Sequence, residues 1–261
     1  MEYFVNFESV VPMRREPNER AEMVSQLLFG EYGLILDKKD SFILVENSFD
    51  KYQGWVDAKM VTAIHQEEHN QMVDSSLYRT KLPVTDIFDT VNKSIVRLSA
   101  GSVLPNYDRS SGRFGLGDSF QYRIHPSMVS HIETYHPSAI ISFARLFLNT
   151  PYLWGGKNVF GMDCSGFVQV IFSLCGFQLP RDASQQIHIG EVVETLSEGQ
   201  AGDLAFFEKN GKITHVGILV SPEQIIHASG KVKIDKIDST GITSTLTGEY
   251  THQIYSIKRI I

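Results

Sequence analysis

Both cysteines of this 261-residue chain lie in one short stretch, GMDCSGFVQVIFSLCGF, which runs from Gly161 to Phe177. The run after Asp163 is apolar on nearly every face and ends at Gly176, with Pro180 shortly after. It predicts a buried helix starting near Asp163 and stopping at a C′ glycine. A helix carrying both thiols separates them by roughly 16 Å, and a disulfide needs Cα atoms within about 7 Å. The spacing also excludes a CxxC metal or redox motif. Cys175, in the last turn beside Phe172, Leu174 and Phe177, reads as a small buried hydrophobe. Cys164 follows a plausible N-cap, Asp163, and meets the unpaired N–H groups and positive dipole end of the helix, which favour thiolate.

A nucleophilic thiol needs an imidazole to take its proton and a third group to orient that imidazole. Of nine histidines, His215 sits mid-strand in the apolar run ITHVGILV, with Gly217 two residues on, leaving room beside its ring. His227 lies on the next predicted strand, as a base and its orienting partner would. Whether both rings share a face depends on the register of the turn at 221–224.

The elements that would position these residues follow from pattern. SFILVE (41–46), GWVDA (54–58), SIVRLS (94–99), GSVLPNY (101–107) and FQYRI (120–124) read as strands of two successive small β modules. A polar stretch from His65 to Ser76 reads as a solvated linker between them. Residues 137–149 predict a helix with Pro137 in its first turn. After the Cys164 helix comes a β-meander: GDLAFF, an Asn210–Gly211 hairpin turn, KITHVGILV, then IIHAS, with YSIKRII as a last strand. Helices followed by antiparallel strands make an α+β domain.

Composition narrows the function. With 24 Lys and Arg against 30 Asp and Glu, the net charge is −6, which gives no reason to expect nucleic acid or a membrane surface. Apolar runs fall short of the ~20 residues of a span. The N-terminus shows no basic region followed by an apolar one, so the expected location is the cytoplasm. His65-Gln-Glu-Glu-His69 fits an H-x-x-E-H spacing, but its flanks carry no apolar face to anchor a metal helix. Gly155-Gly156-Lys157 lacks the rest of a phosphate-binding loop. No metal or other cofactor is expected.

Taken together, DCSGFVQVIF, LPRDASQQ (179–186), GDLAFF, HVGILV and IIHAS, in that order, resemble the NlpC/P60 family of cysteine peptidases. The resemblance implies an α+β papain-like catalytic domain at 130–261, preceded by two small all-β bacterial SH3 (SH3b) barrels at 1–64 and 65–129. It implies Cys164 as nucleophile, His215 as base and His227 as orienting residue. The two-SH3b arrangement is similar to γ-D-glutamyl-L-diamino-acid endopeptidases of murein peptide recycling. Their substrates are murein tripeptides or tetrapeptides with a free N-terminal L-Ala. That likeness implies Glu31, in QLLFGE, and Tyr52, in YQGWV, as acceptors for the substrate ammonium, joined by Asp163 and Ser165, with Ser184 lining the cleft. A monomer is expected. The alternatives are a wall-remodelling D,L-endopeptidase acting on intact peptidoglycan and a non-catalytic SH3b wall-binding protein.

Overall fold

The computed structural model describes residues 1–75, 77–132 and 139–260. These group into two units, one of Met1–Thr134 with Lys157–Val159, the other of Tyr135–Gly156 with Phe160–Ile261. Among the described residues no helix is long and apolar enough to cross a membrane.

The first unit contains β1 (Glu2–Val5), β2 (Val10–Arg14), β3 (Met23–Leu28), β4 (Tyr32–Lys39), β5 (Phe42–Asn47), β6 (Gln53–Asp57) and β7 (Thr62–Ile64). They pair antiparallel in the order β3-β2-β6-β5-β4-β1-β7. Alternating side chains of these strands, Phe4, Val11, Met13, Leu27, Ile43, Val45 and Val56, fill its core. The stretch expected to be a solvated linker is instead helix α1 (Gln66–Ser75). Met72 is fully buried beside Tyr3, Val5, Ile64 and Leu116. The His69 ring lies 4.1 Å from that of Tyr3. One apolar side chain and one ring dock a helix whose remaining surface stays in water.

Beyond α1, β8 (Tyr78–Thr80), β9 (Val84–Asp89), β10 (Ser94–Ser99), β11 (Arg113–Leu116), β12 (Phe120–Arg123) and β13 (Val129–His131) follow. β10-β9-β12-β11 form a four-stranded sheet and β13 pairs with β8. This sheet packs a separate core of Phe29, Ile87, Leu98, Leu104, Phe114, Tyr122 and Ile124. GSVLPNY, read as a strand, is a loop with an isolated bridge between Val103 and Arg79. Gly101, at φ +87°, turns the chain at its start, and Pro105 removes a donor further on. The two-residue β14 (Lys157–Asn158) belongs to this unit. Gln26 Oε1 accepts the Lys157 N–H at 2.8 Å and the Asn158 amide at 2.9 Å.

The second unit opens with α2 (Ile140–Leu146), shorter than the expected 137–149, and Pro137 lies outside the described residues. After the short β15 (Gly161–Met162) comes α3 (Cys164–Leu174), bounded as its sequence predicts. The Asp163 carboxylate caps it, accepting the Gly166 N–H at 2.7 Å, a contact worth about 1 kcal/mol. Gly176, at φ +89°, ends it, with Phe177 N–H donating to Phe172 C=O at 2.9 Å and Gly176 N–H to Ser173 C=O at 3.3 Å. Helix α4 (Ala183–Gln186) follows.

Strands β16 (Glu191–Val193), β17 (Leu204–Lys209), β18 (Lys212–Ser221), β19 (Gln224–Ser229), β20 (Lys231–Ile237), β21 (Gly241–Thr243) and β22 (Tyr250–Arg259) complete the chain. Their order is β16-β22-β17-β18-β19-β20-β21, and β21 also pairs with β22, closing the sheet on itself. Asn210 and Gly211, both at positive φ, make the tight β17–β18 turn. α3 packs against β18 and β19.

Candidate active site

Two elements bring the chemistry together: the start of α3 and the middle of the closed sheet. The β18–β19 register pairs Ile218 with Ile226 and Leu219 with Ile225, then shifts at a bulge before Ser221 pairs with Gln224. Continued inward, this register sets His227 opposite Gly217 and diagonal to His215, on one face. Gly217 is required there, since a Cβ on it would lie 2.8 Å from that of His227 and 2.7 Å from Ile225 Cδ1. The rings therefore meet. His215 Nε2 lies 2.8 Å from His227 Nδ1, and both side chains are buried.

The chain continues to a residue that the sequence reading missed. His227 Nε2 lies 3.1 Å from Asp235 Oδ2 on β20. The same oxygen is 2.8 Å from Lys233 Nζ, and Oδ1 accepts the Thr245 N–H at 2.9 Å and its hydroxyl at 2.7 Å. These donors, His227 and Lys233 foremost, hold the Asp235 carboxyl well below its ordinary range despite burial. An ionised carboxylate only accepts, so His227 must donate from Nε2 and accept at Nδ1. His215 then donates from Nε2, and its Nδ1 keeps a lone pair. The network thus assigns His215 the tautomer of a base.

Burial keeps His215 well below its ordinary pKa, helped by the neighbouring His227 and His252 rings and the charge of Lys233. It is neutral at physiological pH. A third imidazole that the sequence reading passed over, His252 on β22, stacks on it at 4.1 Å.

Cys164 is buried at the first position of α3. The backbone N–H groups of Val216, next to His215, and of Ser165 donate to its sulfur. The β18–β19 ladder ends at Ile218, short of Val216. The helix start was expected to favour thiolate, but burial, reinforced by the Asp163 carboxylate, pushes the thiol up to about 11. The two N–H groups and Arg181 act the other way and are outweighed. The resting pair is therefore neutral thiol and neutral imidazole. Cys175 is fully buried at the other end of α3, and burial alone pushes it up to about 12.

Around Cys164, Asp163 does more than cap. Its carboxylate accepts from Arg181 at 2.6 and 3.0 Å and from the Gly155 N–H at 2.9 Å. Arg181, fully buried, also donates to Ser165 Oγ at 3.0 Å. Removing the guanidinium would leave a buried carboxylate unpaired, at a cost of several kcal/mol. Gly166 is needed here because a Cβ would come within 2.3 Å of the Gly156 carbonyl oxygen. Tyr152 was also missed: burial and the proximity of Cys164 raise its phenol to about 12, so it stays a hydrogen-bond donor beside the thiol. Ser184 lies exposed on α4.

Glu31 and Tyr52 stand in the first unit. The buried Glu31 carboxylate accepts the Leu28 N–H at 3.1 Å and the Asn47 amide at 3.0 Å, and pairs with the buried Lys157 Nζ at 3.1 Å. Tyr52 packs against the first core.

Known proteins resemble this chain in sequence and fold. The NlpC/P60 family signature matches residues 149–251, and that of the bacterial dipeptidyl-peptidase Sh3 domain matches residues 13–60. A gamma-D-glutamyl-L-lysine dipeptidyl-peptidase of Bacillus subtilis is 30% identical over 90% of this chain and 80% of its own length. The chain belongs to the NlpC/P60 family. As an NlpC/P60 cysteine peptidase it combines the catalytic fold with an SH3-type domain. Dipeptidyl-peptidase 6 of Lysinibacillus sphaericus is 27% identical over 85% of this chain and 87% of its own. The crystal structure of an NlpC/P60 family protein from Bacillus cereus shares the fold over the whole chain and 99% of its own, with TM-score 0.86 at 20% identity.

Proposed function

We propose that this NlpC/P60 peptidase hydrolyses the γ-D-Glu–diamino acid bond of murein peptides with a free N-terminal L-Ala. The observation that carries the reaction type is the hydrogen-bonded chain Asp235–His227–His215, running toward the strand segment whose Val216 N–H meets the Cys164 sulfur. The bond specificity rests on the relatives, which include gamma-D-glutamyl-L-lysine dipeptidyl-peptidases of two Bacillus species.

In this reading, the Cys164 sulfur attacks the γ-carbonyl of D-Glu as His215 Nδ1 takes the thiol proton. Because both groups rest neutral, the proton moves during attack rather than before it. Helix-start N–H groups and the Tyr152 hydroxyl stabilise the oxyanion. His215 then protonates the leaving amine of the diamino acid. Water, deprotonated by the same imidazole, cleaves the thioester.

The free N-terminus is assigned to Glu31 and Tyr52 with Asp163 and Ser165, and the second sheet of the first unit to a second SH3b module. Cytoplasmic recycling by a monomer completes the proposal. The Glu31–Lys157 and Asp163–Arg181 pairs favour a second reading, a D,L-endopeptidase acting on intact wall peptides, because each carboxylate already holds a cation. Comparing kcat/KM on L-Ala-γ-D-Glu-L-Lys with its N-acetylated form decides between them. A loss of about 10²-fold or more on blocking is expected, as for an unpaired buried recognition site. Equal rates would reject the free N-terminus and support wall remodelling.

A further inference from the structure

The hydrogen bond from His215 Nε2 to His227 leaves one motion free. The His215 ring can still swing about its Cβ–Cγ bond through small angles while keeping that hydrogen bond, and each swing re-aims Nδ1. Something must hold the plane of the ring, and the structure puts His252 on its face. The two imidazoles are stacked, with centroids 4.1 Å and planes 26° apart. His252 also stands edge-on to His227, at 5.9 Å and 87°. Phe207 backs both, 5.7 Å from His215 and 5.9 Å from His252.

The backbone is shaped to deliver this contact. Phe207 pairs with His215 on one side and with Ile254 on the other. A bulge interrupts each ladder at that residue, between Phe207 and Glu208 against β18 and between Phe206 and Phe207 against β22. Bulges re-aim side chains beside active sites, and here His252, two residues before Ile254, falls on the face that carries His215. On the far side of β22, Gly241, at φ +152°, lets the strands close, since a Cβ there would lie 1.9 Å from the His252 carbonyl oxygen. His252 Nδ1 is held 2.9 Å from Thr251 Oγ1.

We propose that His252 is a positioning residue of the reaction, clamping the plane of His215 so that its Nδ1 stays in line with the Cys164 thiol. This rests on the reading of His215 as the base. The groups facing the stack are His227, Lys233 and, through His227, Asp235. Burial, with the neighbouring His227 ring and the charge of Lys233, lowers His252 to about 4. It is thus neutral at working pH and does not repel the imidazolium that forms on His215.

The test is the full-length protein with His252→Ala, His252→Phe and His252→Leu, assayed on L-Ala-γ-D-Glu-L-Lys, with Cys164→Ala as blank and thermal melting as the folding control. His252→Ala should lower kcat about tenfold with KM changed less than about twofold. Water reaching the bared ring raises the His215 pKa, so the acid limb of kcat/KM should move up by about one unit. His252→Phe, which keeps a flat face, should restore kcat to within about threefold of wild type. If His252→Ala does not fold, the comparison falls to Leu and Phe, and Phe active with Leu impaired supports the clamp. Wild-type kcat in Ala or Leu, or equal impairment in Phe and Leu, overturns it. A wild-type protein without Cys164-dependent turnover would overturn the functional reading itself, and this inference with it.

Discussion

The two ends of α3 present the same thiol in opposite settings. Cys175 is fully buried, and that burial pushes it up to about 12. Cys164 is almost as buried and is also raised, to about 11. The two differ in what surrounds them. Backbone N–H groups from Val216 and Ser165 reach the Cys164 sulfur, Tyr152 stands beside it, and Arg181 neutralises the carboxylate next to it. Among the described residues, burial is what shifts Cys175. Reactivity is therefore set by the partners at the helix start, and the ground-state pKa does not distinguish the ends strongly.

The largest expected effect comes from removing one thiol at a time. Cys164→Ala should abolish hydrolysis of L-Ala-γ-D-Glu-L-Lys to the uncatalysed level while the melting temperature stays near wild type, whereas Cys175→Ala keeps its activity. Retained turnover in Cys164→Ala, read by amine release, would erase the difference between the ends.

An intermediate effect is expected at Asp235, which belongs to the partners of one end only. Its carboxylate accepts from His227, Lys233 and twice from Thr245. Asp235→Asn turns an NH₂ against donors in either orientation, so the His227 tautomer is no longer enforced. The expected result is a kcat lower by about 10²-fold with KM little changed, a magnitude typical of lost general-base function. An unchanged kcat would remove Asp235 from the relay.

The smallest effect belongs to the closed end. Cys175→Ala deletes one fully buried sulfur, for about 1 kcal/mol. In a chain of this size, that lowers the melting temperature by roughly 2–4 °C. A loss of activity there would mean that the ends are coupled.

Parts of this contrast were legible in the chain. The limits of α3 follow from Asp163, Gly176 and the apolar run between them. His215 and His227 stand out as imidazoles in apolar strands. Their meeting does not, because it depends on the bulge between Leu219 and Ser221, a backbone detail that no side-chain pattern encodes. Asp235 hides in KVKIDKI, where alternating lysines read as a solvated face, yet closure of the sheet buries it. His252 sits in a polar run that resembles loop, and only the paired bulges at Phe207 turn it inward. The N-terminal position of Cys164 was read as favouring thiolate because its burial, the largest influence on it, arises only in three dimensions. Helix α1 was missed since its docking runs through one buried methionine and one histidine ring tilted against Tyr3.

The central claim, that one thiol of α3 is nucleophilic and the other inert, is tested most directly by alkylating the native protein with iodoacetamide and following each cysteine by peptide mass spectrometry across pH. Cys164 should be modified in step with loss of activity, its rate rising about tenfold per pH unit until near its raised pKa, while Cys175 remains unmodified. Equal modification of both cysteines, or full activity after Cys164 is blocked, would contradict the account.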